Sequence, residues 1–324
     1  MAKNSKRNLI LFIIFIVLFC TAVYVYVSSN SDKNISTNNN KENDKLSITS
    51  ASPSINTLNY EGHLYYFRIT DGNFEIYSKK GSEEEKLVFS DKDESQKIKF
   101  ASSITSSGKL LALMSPRDQM FGGSLDLISS DGSGNIDKII DNFVTSQPPI
   151  ISPNGEQIAY VLFSNDEKNY GFTLYLMDLS GQNKTKIDSN PSGITNLNWS
   201  RDGNTLAYLA DNTVKAYNIE NAESQTIYKP NTNKISYLSF GTDKNILLVI
   251  TNESKSEILN LNLQSQKTTN FYNSSDIINS ALWLNNEATI AGFSIKDKKE
   301  LNIIDLNNNI SNIGKAEGLI KWNE

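Results

Sequence analysis

Residues 194–228 read ITNLNWSRDGNTLAYLADNTVKAYNIENAESQTIY, and this stretch decides the fold. Leu197 and Trp199 alternate with polar neighbours, the period-2 pattern of a strand with one buried face. Ser200-Arg201-Asp202-Gly203 is a turn, and Leu206 to Leu209 is a short apolar run of buried-strand length. Asp211-Asn212 turns the chain again, and Val214, Ala216 and Ile219 fall in a third strand. Glu220 to Ser224 forms the next turn, before a fourth strand from Gln225 to Tyr228. The unit is therefore four short strands joined by tight turns.

The same unit recurs on both sides. PIISPNGEQIAYVLF with TLYLMDLSG precedes it, SITSSGKLLALM with SLDLISSDG comes earlier still, and LNYEGHLYYFRI with FEIYSKKG comes first. LSFGTDKNILLVI with EILNLNLQ and ALWLNNEATIAGF with LNIIDLNNN follow. Taking the large residue before each first turn as an anchor gives Tyr60, Ile104, Ile151, Trp199, Phe240, Trp283 and Trp322. The spacings are 44, 47, 48, 41, 43 and 39 residues, the length of a four-stranded propeller blade. A second column, Ser78, Ser129, Asp178, Asn218, Asn262 and Asp305, ends each third strand with a short polar side chain suited to set the next turn.

GLIKWNE, up to Glu324, supplies only the first strand of a further unit. Unpaired strand edges invite aggregation, so this strand is expected to join the N-terminal blade and close the ring. The expectation is an all-β, six-bladed propeller of four-stranded blades over residues 55–324, preceded by one transmembrane helix.

That helix is read in residues 9–27, LILFIIFIVLFCTAVYVYV, nineteen residues without a charge. As a helix it spans about 28 Å, close to the hydrocarbon thickness of a bilayer. Lys3, Lys6 and Arg7 precede it, which assigns residues 1–8 to the cytoplasm and the rest to the outside. A retained signal anchor is preferred because the run is longer than a usual signal-peptide core. Cleavage near Val27-Ser28-Ser29 is the alternative; a lipid anchor at Cys20 is weaker, because Phe19 stands where small residues are wanted. Residues 28–54 are rich in Ser, Asn and Lys and lack aromatics, the composition of a disordered stalk.

Ile151-Ser152-Pro153-Asn154-Gly155 with Ile158-Ala159-Tyr160, and Trp199-Ser200-Arg201-Asp202-Gly203 with Leu206-Ala207-Tyr208, resemble a known signature, W-S-P-D-G-x-x-I-A-Y. It marks TolB-like propeller repeats and the propeller of dipeptidyl peptidase IV-type enzymes. Leu174-Tyr175-Leu176-Met177-Asp178-Leu179-Ser180-Gly181 resembles the third strand of the same repeat. The resemblance covers about residues 55–324, with two strong copies and four degraded ones. Phe240-Gly241-Thr242-Asp243-Lys244 and Trp283-Leu284-Asn285-Asn286-Glu287 depart from the glycine position. What the resemblance implies is a six- or seven-bladed platform for binding in the cell envelope, without an implied activity.

The chain carries a formal net charge of −5, and −8 once the three N-terminal cations are set aside, which disfavours a nucleic-acid partner. One cysteine and one histidine exclude disulfide scaffolds and Cys/His zinc sites. His63 cannot supply a hydrolase triad without a G-x-S-x-G nucleophile, and it is read as a rim residue. The peptidase-type hydrolase domain is not expected after Glu324. Asp178, Asp202, Asp211 and Asp243 could be glycosidase acids, yet each sits where a turn favours Asp, and the S-x-D-x-G box is not matched. Asp91-Lys92-Asp93-Glu94 lacks the glycine and terminal glutamate of a calcium loop and is read as a solvated turn. Trp199, Trp283 and Trp322 could stack sugars, but their shared register favours packing between blades.

The longest loops between second and third strands, 115–123 and 164–171, place Met120, Phe121 and Tyr170 at tips on one face. These three are the candidate partner contacts. The expected function is a non-enzymatic, membrane-anchored interaction platform for an envelope protein, without cofactor or metal. The alternatives are a sensor that takes wall glycan or peptide in the central channel or on one face and, behind it, a propeller-type glycoside hydrolase.

Overall fold

The computed structural model describes residues 60–324, apart from 93, 117–121, 232, 243, 286–288 and 324. The proposed helix at 9–27 and stalk at 28–54 lie outside the described residues. Blade one holds β1 (His63–Thr70), β2 (Asn73–Lys80) and β3 (Lys86–Ser90). Blade two is β4 (Gln96–Ile104), β5 (Lys109–Pro116), β6 (Gly123–Ser129) and β7 (Ile136–Phe143). Blade three is β8 (Ile150–Ile151), β9 (Gln157–Ser164), β10 (Gly171–Asp178) and β11 (Thr185–Asn190). Blade four is β12 (Ile194–Trp199), β13 (Thr205–Ala210), β14 (Thr213–Asn218) and β15 (Glu223–Tyr228). Blade five is β16 (Lys234–Thr242), β17 (Asn245–Asn252), β18 (Lys255–Asn262) and β19 (Lys267–Ser274). Blade six is β20 (Ile278–Trp283), β21 (Ile290–Ile295), β22 (Glu300–Asp305) and β23 (Ile310–Lys315), and β24 (Gly318–Asn323) follows it.

Six four-stranded antiparallel sheets result, and the last strand completes the first blade in the order β24-β1-β2-β3. The expected clasp is therefore real: Leu64 lies opposite Trp322 across it, and the Trp322 indole donates to the Glu61 carbonyl at 2.7 Å. One anchor is corrected by it. Tyr60 does not form an inner strand, because Trp322 holds that place; Tyr60 packs into the same cluster and donates its hydroxyl to the Lys79 carbonyl. Arg68 reinforces the joint, holding Glu85 by two hydrogen bonds and donating to the Lys315 carbonyl of blade six.

The hydrophobic core is not one mass but six, one between each pair of neighbouring blades. Strand alternation explains this. Along β13, Leu206, Tyr208 and Ala210 face blade three, whereas Ala207 and Leu209 face blade five. Both faces of each second strand are buried, so these strands read as unbroken apolar runs. Each tryptophan anchor packs against the blade before it, as its register implied.

Local chemistry accounts for the signature turns. Ser200 Oγ donates to Asp202 and accepts the Thr205 amide, and Asp202 accepts the Asn204 amide. Ser152 and Asn154 repeat the arrangement in blade three. Asp178, Asn218, Asn262 and Asp305 cap the turns that follow them. Ser78 and Ser129 break the expected column: Ser129 Oγ accepts Lys109 Nζ, and Ser78 makes no turn bond.

Asp91 is a second correction. It is 1% exposed rather than solvated, accepting the amides of Phe74 and Ile98 and pairing with Lys97 at 3.3 Å. It ties blade one to blade two. Asp91→Ala leaves the largely buried Lys97 ammonium without its carboxylate, and is expected to cost about 3 kcal/mol in urea unfolding. Gly241 stands where any side chain would overlap the Trp283 ring, since a Cβ at this position would fall inside the indole edge. Gly241→Ala is therefore expected to destabilise by about 1–3 kcal/mol, read as a lower urea midpoint.

Candidate functional site

Neighbouring inner strands touch one another in a closed ring around the axis. An inner strand has no sheet partner on its axial side, so its backbone groups need partners from elsewhere. Side chains of the adjacent blade supply several. Ser103 accepts the Ile151 amide, Asn198 accepts the Phe240 amide, Ser239 donates to the Ala281 carbonyl, and Ser280 accepts the Leu319 amide.

The same strands are bulged. Pairing skips Lys99 and Ser102 in β4, Asn196 and Leu197 in β12, and Ser236 in β16. A bulge re-aims a side chain that the ladder would otherwise fix. All five of these residues line one axial cavity of about 540 Å³, within the range of ligand pockets. Asn196 adopts a left-handed conformation at its bulge (φ 53°), which asparagine tolerates better than most residues. Phe67 and Phe74, stacked at 4.7 Å, give the cavity an aromatic wall, and Tyr237 and Gln147 add polar groups. Burial pushes the Tyr237 phenol up to about 12, so it is present as a hydroxyl donor.

The mouth opens where the chain enters each blade, shown by Gln147 and Pro148 between blades two and three. In an antiparallel blade the link between second and third strands lies on that face too. Tyr170 is on it, 62% exposed and edge-on to Phe163 at 5.8 Å, but it is absent from the cavity wall. Met120 and Phe121 lie outside the described residues. Tyr170 thus lies on the face of the mouth, while the axial wall is the built site. Sequence reading missed that wall because bulges break the period it relies on.

A smaller cavity continues at the other end of the inner strands, lined by Arg201, Phe240, Gly241, Leu282, Trp283, Lys321 and Trp322, and sharing Asn198 with the larger one. Burial, and secondarily the Arg201 charge, bring the Lys321 ammonium down to about 8. Arg201 itself lies over the Trp322 ring at 4.8 Å. Among the described residues, neither cavity has an Asp or Glu in its wall, whereas Lys99, Lys234, Arg201 and Lys321 all line one or the other.

The carboxylates considered for catalysis are engaged elsewhere. Hydrogen bonds from Ser180 and the Gln182 amide hold Asp178 below its usual range. At Asp202 burial acts upward, but the bonds from Ser200 and Asn204 outweigh it. Asp211 occupies a turn with φ 48°, and Asp243 lies outside the described residues. Asp126 is pushed up by burial, but it sits on β6 with its oxygen held by Ser124 at 2.5 Å, away from either cavity wall. His63 opens β1 at the rim, half-buried.

No family model matches the chain, and no curated protein matches it. Solved structures do. TolB from Acinetobacter baumannii superposes with a TM-score of 0.61 at 15% identity, covering 81% of this chain and 65% of that one. The fold is that of a TolB-like propeller. A putative TolB from Agrobacterium tumefaciens gives 0.57 at 14% identity, covering 81% and 91%. An oligogalacturonate lyase in complex with manganese gives 0.56 at 10% identity, covering 78% and 74%. The chain spans about two thirds of the A. baumannii protein, and at these identities the likeness is one of fold.

The depressed Lys321 ammonium makes stability depend on pH. Below pH 8 the folded state carries a partly desolvated Lys321 charge that the unfolded chain solvates freely, a cost to folding. Between about pH 8 and 10 the unfolded state binds the more protons, so this cost is relieved as pH rises. Lys321→Met is expected to raise the urea midpoint at pH 7, with the advantage over wild type shrinking by pH 10.

Proposed function

We propose that this TolB-like propeller is a binding module that takes a protein partner at the mouth of its axial channel. The observation that carries the reading is the bulged inner-strand wall: five residues released from sheet pairing converge on one open cavity. Rigid surroundings suit recognition, since side chains fixed by packing lose little entropy on binding. The exposed Tyr170 ring on the same face offers an aromatic contact beyond the mouth. Recognition without catalysis fits the turn carboxylates, which are committed to their own backbone. The nineteen uncharged residues at 9–27 support an extracytoplasmic, membrane-anchored address for the module, with an envelope protein as its partner.

The test is cross-linking on intact cells with a membrane-impermeant reagent. One recurrent envelope protein is expected with the wild type, and the double variant Lys99→Glu/Lys234→Glu at the mouth should reduce its yield at least tenfold. Glu223→Lys, at the turn on the opposite face, should leave the yield unchanged. Equal capture by both variants would contradict recognition at the mouth.

A further inference from the structure

In a chain whose net charge is −5, an axial wall with cations and without an Asp or Glu among its described residues is a departure that packing does not require. Lys321 is the sharpest case. It is half-buried in the wall of the narrow end of the channel, where the charged side chain that acts on it, among the described residues, is another cation, Arg201. Among the described residues it has neither a carboxylate nor a hydrogen-bond partner. A partly desolvated ammonium without a counter-charge is unfavourable, and a ligand that brings the charge relieves that cost.

Two further donors stand unused at the same place. The Asn198 side chain, in the wall of both cavities, spends its oxygen on the Phe240 amide, and its NH₂ group donates to no acceptor among the described residues. The buried Trp283 indole N–H, in the wall of the narrow cavity, has no acceptor among the described residues. A buried donor is rarely left unpaired, so the Trp283 N–H adds an independent sign of a missing acceptor, and the half-buried Asn198 amide stands beside it. Free space there is about 20 Å³, enough for an oxygen-sized centre and too little for a ligand body. The body would occupy the wider cavity beyond Asn198, whose amide, hydroxyl and aromatic groups suit an extended peptide.

We propose that the narrow end of the channel is a carboxylate site, in which Lys321, Arg201 and Asn198 hold the carboxylate of an acidic peptide that enters through the mouth. This rests on the reading of the propeller as a protein-binding module and names the chemistry of what it takes. Attraction between the cationic wall and an acidic segment would also guide entry, with affinity falling as salt rises.

Calorimetric titration of the full-length protein tests it with Ac-(Gly-Glu)₃-OH, its C-terminal amide, and neutral Ac-(Gly-Gln)₃-NH₂. The acidic peptide is expected to bind at least tenfold more tightly than the neutral one. Lys321→Met and Arg201→Ala should each remove that preference, while Lys321→Met keeps its circular dichroism spectrum and gains in urea midpoint. A loss on amidation assigns the carboxylate to the chain terminus, and retained affinity assigns it to a side chain; either supports the site. Equal binding of acidic and neutral peptides overturns the carboxylate site and leaves the binding-module reading standing. Tighter binding of trigalacturonate than of the acidic peptide overturns the choice of a peptide. No binding of the acidic peptide at millimolar concentration overturns the inference, and partner capture on cells then judges the module reading separately.

Discussion

The structure depends on one antiparallel pairing, that of β24 with β1. Blades bury their apolar faces only against one another, so each interface stands or falls with closure of the ring. Without the last strand, Leu64 and Tyr66 lose Leu319 and Trp322 as packing partners, and blade one loses its axial strand. Arg68 and Glu85 strengthen the joint further out, where the guanidinium also stacks on Tyr77 at 4.4 Å. Closure thereby fixes the diameter of the axial space and the spacing of everything that lines it.

From that constraint the site follows. A strand at the axis has a neighbour on one side only, and its free backbone groups are met in part by serine and asparagine side chains of the next blade. Bulges turn further residues into the channel. The arrangement leaves polar groups and cations facing an open axial space while the apolar surface is committed between blades. Lys321 bears the consequence, an ammonium brought down to about 8 in a place where ordinary folding would favour methionine or leucine.

Much of the fold was legible in the sequence because blades obey local rules. Spacing of the anchors, alternation within strands and the serine–aspartate turn at Ser200 and Asp202 each report on a few adjacent residues. The clasp was legible too, since a lone inner strand at the end of the repeats needs a blade to complete. Tyr60 was misplaced because a large residue before a turn looks the same whether it precedes a strand or lies in one. Asp91 was misread because its acidic neighbours suggest solvent, whereas its carboxylate reaches back to the Phe74 amide seventeen residues earlier and forward to the Ile98 amide in the next blade. The channel wall was not legible at all. Lys99, Asn196 and Ser236 owe their direction to bulges, and Lys321 and Arg201 meet only through ring closure, more than a hundred residues apart.

The claim that recognition happens at the axis is tested most directly by photo-cross-linking in living cells. A photoreactive phenylalanine analogue at Tyr237, inside the channel, is compared with the same group at Gln225, on the outermost strand of blade four. The account predicts a discrete covalent adduct at position 237 and none at 225. Adducts at 225 with none at 237 would contradict it, and would move recognition from the channel to the outer edge of the blades.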